Sequence, residues 1–161
     1  MSKLLLFIIL SLSLNAKEII PHIVDNKNVR LITNDKTFDS SIIKEKNYLI
    51  NYVDPDERGL NEDMMDRLEL HNFNAGSIAI INLEATWIPN FLLEAILEEN
   101  QKKHPDTIFV KDLNKELVEF WNLEDDNVHT LVLNEKHEIL FKKSGKLSLE
   151  DEKEIIKLLS N

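Results

Sequence analysis

Residues 48–68 read YLINYVDPDERGLNEDMMDRL. The first six form an apolar run closed by Asp-Pro, the mark of a short buried strand, since the residue before a proline is held in extended backbone. Leu60, Met64, Met65 and Leu68 then recur at spacings of three and four, as one face of a helix requires. Between them lies a charged junction. Asp54, Asp56, Glu57, Glu62 and Asp63 surround the start of the helix, where each negative charge is favoured by ~0.3–1 kcal/mol. A buried strand feeding an amphipathic helix is the opening half of a β-α-β unit.

Outward from this unit the alternation continues. Upstream, VRLI (29–32) is a short strand candidate. Downstream, SIAIINL (77–83) follows the break at Gly76 as a second buried strand, and a helix opens at Pro89 or Asn90. Its expected core face is Phe91, Leu92, Ala95 and Ile96, and it stops before Pro105. TIFV (107–110) is a further strand, and NKELVEFW (114–121) a short helix with Asn114 as its expected cap. VHTLVLN and EILFKK, separated by NEKH, read as an antiparallel hairpin. In the terminal SLEDEKEIIKLLSN, Ser148 and Asp151 form a capping pattern, with Ile155, Ile156 and Leu159 facing inward. The order β, β, α, β, α, β, α, β, β, α predicts an α/β fold with a mixed β-sheet and helices on both faces.

Composition bounds the function classes. With 161 residues, 43% apolar and 30% charged, and only three Gly and four Pro, the chain is predicted to be globular with little room for a linker. The formal charge of −10 disfavours nucleic acid and anionic lipid surfaces. The densest basic run, Lys142, Lys143 and Lys146, sits near a turn. At the N-terminus, Lys3 precedes an apolar run from Leu4 to Leu14, and Ala16 offers a small residue for cleavage. Residues 1–16 are therefore expected to be a secretory signal peptide, because the run is well short of the ~20 residues that span a bilayer. Residues 17–161 are expected to form one domain, without a stable membrane anchor after cleavage. No cysteine is present, so export brings no disulfides and stability must come from the core.

The closing TLVLNEKHEILFKKSGKLSLEDEKEIIKLL (130–159) resembles the C-terminal half of a thioredoxin-like fold. Together with IINLEATWIPNFLLEAILEENQKKHP (80–105), VKDLNKELVEFWNLEDDNVHTLVLNEKHEILFKKSGKLS (110–148) and the opening stretch, it resembles the exported thioredoxin-like proteins of the YtfJ family over about residues 45–160. That resemblance implies a periplasmic location and a family without an established activity. It also shows what is missing. Redox members of the fold need a low-pKa thiolate at the start of the first helix and a second thiol to resolve the mixed disulfide. Here Arg58, Gly59, Leu60 and Asn61 stand at that junction, and His129 stands where the resemblance places a cis-proline facing the redox groove. Thiol-disulfide exchange and peroxidase chemistry are excluded, because no residue of the chain can form a thiolate.

Other constellations are weaker. Asp54, Asp56 and Gly59 match positions one, three and six of a calcium loop, but Arg58 and Met65 fall at positions five and twelve, where oxygen ligands are needed. The five histidines show no metal-ligand spacing, so no metal, cofactor or catalytic residue is assigned. A cysteine-independent enzyme using Glu57, Glu62 or His129 has no supporting spacing. In TWIPNF, Trp87 and Phe91 lie on a loop leading into a helix; aromatic residues there suit partner contact, while the packing alternative folds Trp87 back over the strand end. The expected function is a non-catalytic module that binds a periplasmic protein or peptide through Asp56, Glu57, Arg58, Asn61, Trp87, Phe91 and His129. The alternative is a metal or small-ligand carrier using the acidic 54–63 loop with His129.

Overall fold

The computed structural model describes residues 31–33, 36–38 and 40–160. The expected signal peptide and the first half of VRLI lie outside these residues. Among the described residues the elements run β1 (Leu31–Thr33), β2 (Lys36–Thr37), β3 (Tyr48–Val53), α1 (Glu62–Glu69), β4 (Gly76–Asn82), α2 (Asn90–Lys103), β5 (Thr107–Asp112), α3 (Glu116–Trp121), β6 (Val128–Leu133), β7 (Ile139–Ser144) and α4 (Leu149–Leu159). Single 3-10 turns occupy Ser40–Ile42 and Pro55–Glu57. The one element that periodicity did not announce is β2, whose two residues are too few to carry an alternation.

All seven strands share one mixed sheet in the order β2-β1-β5-β4-β3-β6-β7. The centre is parallel, β3 to β4 and β4 to β5, while β6 joins β3 antiparallel and β7 joins β6 as the expected hairpin. The two crossovers β3-α1-β4 and β4-α2-β5 step the same way across the sheet, and right-handed connections then place α1 and α2 on the same face.

The register puts even-numbered residues of β3, β4 and β5 on one side of the sheet and odd-numbered ones on the other. On the even side, Tyr48, Ile50, Tyr52, Ile78, Ile80, Val110, Leu131 and Leu133 pack with Leu117 and Trp121 of α3 and with Phe38 and Ile43. Tyr52 sits at its centre. The Tyr52 hydroxyl donates to Asp112 Oδ2 at 3.0 Å, and Trp121 meets the ring edge-on with centroids 6.5 Å apart. Burial first, then the Asp112 carboxylate, pushes the phenol far above its ordinary range, so it remains a donor. Gly76 faces Tyr48 across the strand pair, and an added Cβ would run into that ring. On the odd side, Leu49, Val132 and Phe141 pack with Met64 and Leu68 of α1 and with Ile155 and Leu159 of α4. Helices therefore cover both faces, as the element order predicts.

Two local expectations are corrected. Asn114 does not cap α3. The helix starts at Glu116 after Lys115, which adopts left-handed backbone at φ 47°, and its first amides donate to the Asp112 carboxylate, Glu116 N and Leu117 N at 3.0 Å each. A carboxylate at the end of β5 replaces the local cap because it is already buried against Tyr52 and gains partners there. The core face of α2 is also displaced. In FLLEAIL the apolar residues run nearly round the helix, so periodicity selects no face; Leu93 and Leu97 are buried, while Phe91 and Leu92 are exposed. At α4 the expected capping box is present, with Ser148 Oγ accepting from Asp151 N at 3.2 Å and Asp151 Oδ2 accepting from Ser148 N at 2.8 Å.

Candidate functional site

The carboxyl ends of β3 and β4 carry two neighbouring loops, each leading into a helix on the odd face. In the first, Asp54 caps the Pro55–Glu57 turn by accepting from Asp56 N at 2.9 Å. Burial raises the Asp54 carboxyl above its usual range; the Asp56 amide opposes the rise, and Asp56, Asp126 and Glu57 add to it. Asp56, Glu57 and Arg58 are exposed, with Arg58 Nη1 donating to the Pro55 carbonyl at 3.3 Å. The second loop is tied to the first. Thr86 Oγ1 donates to Asp56 Oδ1 at 3.2 Å and accepts from Ile88 N at 3.1 Å, which fixes the backbone on either side of Trp87. Trp87 is 84% exposed and Phe91 71%. The packing alternative, in which Trp87 folds back over the strand end, is not what the structure adopts.

Of the seven expected site residues, Asp56, Glu57, Arg58 and Trp87 thus stand on two exposed loops and Phe91 on the exposed first turn of α2. The other two do not. Asn61 is buried and splints α1 to the β7–α4 turn, donating to the Gly145 carbonyl and accepting from Leu147 N, both at 3.0 Å. His129 is 1% exposed and lies on the even face beside Tyr52, with ring centroids 6.2 Å apart. Its Nε2 lies 2.7 Å from the Glu124 carbonyl, which can only accept; this assigns the ring proton to Nε2 and leaves Nδ1 to accept from the Ser144 hydroxyl at 2.8 Å. Burial lowers its pKa, against the Glu124 carbonyl and with the help of Lys142. Both ring nitrogens are engaged inside the sheet, so His129 does not face a groove and cannot complete a ligand set with the acidic loop. Among the described residues no three His, Asp or Glu side chains are gathered as metal ligands, and no peptide bond is cis, the one before His129 included.

A second feature was not legible in the sequence. Over the odd face, residues of α1 and α2 border a slot of about 710 Å³ along β3, β4 and β5. Its floor includes Val53, Ala79, Ile81 and Phe109, all only partly buried although they sit on central strands. Arg58 and Glu62 stand at one end. At the other, His104 Nδ1 lies 2.6 Å from Glu69 Oε1 and links the last turns of α2 and α1. No periodicity announces such a gap, since it arises from two turns of α1 standing apart from a longer neighbour.

Comparison with known proteins follows from this geometry. A family model described as a bacterial protein of unknown function (YtfJ_HI0045) matches residues 20–161. No curated protein matches the chain. Among solved structures, a thiol-disulfide isomerase from Corynebacterium glutamicum is similar at 12% identity and TM-score 0.63, covering 92% of this chain and 99% of its own. StoA from Bacillus subtilis is similar at 16% identity and TM-score 0.54, over 81% and 95% of the two chains. The exposed lipoprotein thioredoxin of Streptococcus pneumoniae is similar at 11% identity and TM-score 0.58, over 79% and 96%. Likeness at such identities shows the fold, which is thioredoxin-like, and the chain carries that fold without a cysteine.

Proposed function

Given that the chain belongs to the YtfJ_HI0045 family of bacterial proteins, we propose that it is a periplasmic, non-catalytic binding module, exported by cleavage near Ala16, that holds an extended segment of another exported protein. Its single domain would span residues 17–161. A protein without cysteine cannot itself run thiol-disulfide exchange. The observation that carries the reading is the exposure of Trp87, on a loop fastened to Asp56 by Thr86, and of Phe91 at the start of the helix that follows. Large exposed aromatics held on ordered backbone offer contact area at small entropic cost. The carboxylates of Asp56 and Glu57 beside them, on a molecule of formal charge −10, favour a segment combining an apolar residue with Lys or Arg.

An array of peptides from exported proteins tests this with the purified exported protein. Retained peptides should pair apolar with basic residues, and binding should weaken with salt. The double variant Trp87→Ala/Phe91→Ala should lose at least tenfold in affinity, and Asp56→Asn/Glu57→Gln should lose preference for basic peptides. Retention independent of peptide charge, or unchanged in both variants, overturns the reading.

A further inference from the structure

The slot between α1 and α2 is separate from the aromatic loop, since neither Trp87 nor Phe91 lines it. Its volume of about 710 Å³ lies in the range of small-molecule sites, ~300–1,000 Å³. Its floor combines the apolar Val53, Ala79, Ile81 and Phe109 with the polar Asn51 and Ser77. Val53 pairs with Ile81 and Ala79 with Phe109 across neighbouring strands, and all four remain partly exposed, Ala79 being the smallest apolar side chain available. Apolar floor left open in this way is stabilised when a ligand removes it from water, by ~25 cal/mol per Å² covered.

The walls state the ligand's charge. Along the slot, Lys103 is paired with Glu99 at 3.3 Å, and His104 Nδ1 lies 2.6 Å from Glu69 Oε1. Glu62 and Asp66, four residues apart on the α1 turn facing the slot, are exposed and take part in no ion pair among the described residues. Arg58 at the mouth is turned to the Pro55 carbonyl. Two unmatched carboxylates beside an apolar trench, on a strongly anionic molecule, complement a cation that carries an apolar body.

We propose that this slot is a binding site for a small amphipathic cation, an elongated apolar group lying over Ala79, Ile81 and Phe109 with its amine or ammonium against Glu62 and Asp66.

The test uses the purified exported protein and three probes, dodecyltrimethylammonium and dodecanoate below their micelle concentrations and dodecanol below its solubility limit, followed by calorimetry and thermal unfolding. The ammonium probe should bind one to one, raise the melting temperature, and show a negative heat-capacity change. Dodecanol should bind about tenfold more weakly and dodecanoate more weakly still. Glu62→Gln/Asp66→Asn should bring the ammonium probe down to the level of dodecanol. Ala79→Phe, which fills the floor, should lose binding of all three; Ala79→Leu, a smaller filler, should lose it in part and covers the case in which the larger ring fails to fold. Equal binding of dodecanoate, unchanged binding in a folded Ala79→Leu protein, or saturation at several probes per chain overturns the proposal.

Discussion

Ile80 and Ile81 are consecutive on β4, and they occupy different environments. Ile80 lies on the even face, 2% exposed, among Tyr52, Val110 and α3, whereas Ile81 lies on the odd face as part of the slot floor. The even face is a closed core in which Tyr52, Asp112 and His129 are buried with partners, the Trp121 Nε1 donor being the exception among its described polar groups. The odd face is finished only beneath α1 and α4; between α1 and α2 it is not. In a sheet whose two sides come from alternate residues of the same strands, that contrast cannot reflect strand propensity. It reflects what the helices do, and it locates stability on one side and accessible surface on the other.

The strongest way to break the comparison is to truncate the two isoleucines in turn. Ile80→Ala should cost about 4 kcal/mol, within the range for deleting a fully buried aliphatic side chain and leaving its cavity. Ile81→Ala should cost about 1 kcal/mol, because its side chain already meets water. Urea unfolding of both variants measures the difference; equal losses would mean that the slot closes in solution. Asp112→Ala should come next, at about 3 kcal/mol, since it uncaps α3 and strands the buried Tyr52 hydroxyl together. Asp112→Asn should recover part of that loss by still accepting from the hydroxyl and one helix amide.

These two tests also show what could be read from the sequence. The order of elements along the chain, the hairpin and the Ser148–Asp151 box were legible because each depends on residues within a few positions of one another. The cap of α3 was not, because its acceptor lies at the end of the preceding strand and is held there by Tyr52, 60 residues away. The core face of α2 was not, because FLLEAIL is apolar round most of its circumference and only the sheet beneath selects Leu93 and Leu97. The candidate site divided the same way. Asp56, Glu57, Arg58, Trp87 and Phe91 are exposed, whereas Asn61 and His129, chosen for their position along the chain, are inward and held by the Gly145 and Glu124 carbonyls.

His129 gives a smaller and pH-dependent effect on the closed face. Burial lowers its folded-state pKa below the ordinary value of ~6.5, so the unfolded chain takes up a proton before the folded one does. Its contribution to stability is then complete above ~6.5 and is lost as pH falls from there towards the folded-state value. Stability measured by urea unfolding at steps from pH 7.5 to 5 should decline with acidification, and His129→Gln should flatten that decline. Comparing slopes between the two proteins removes the contribution of the carboxylates, which titrate in both. Identical slopes would mean that the ring exchanges protons with water as freely in the folded protein as in the unfolded one.

The smallest expected change in stability is at the most exposed apolar residues. Trp87→Ala and Phe91→Ala should each shift unfolding by less than about 0.5 kcal/mol, as substitutions at solvated positions do. Fluorescence makes the point independently: of the two tryptophans, Trp121 is buried on Tyr52 and Trp87 is in water, so iodide should quench the Trp121→Phe protein strongly and the Trp87→Phe protein weakly. A residue that adds little to the fold, next to backbone fixed by the Thr86 hydrogen bonds, leaves its ring free for contact outside the chain. If Trp87→Ala instead lowered stability by 2 kcal/mol or more, the ring would be packing on its own protein, and the aromatic loop would belong with the closed face as part of the core.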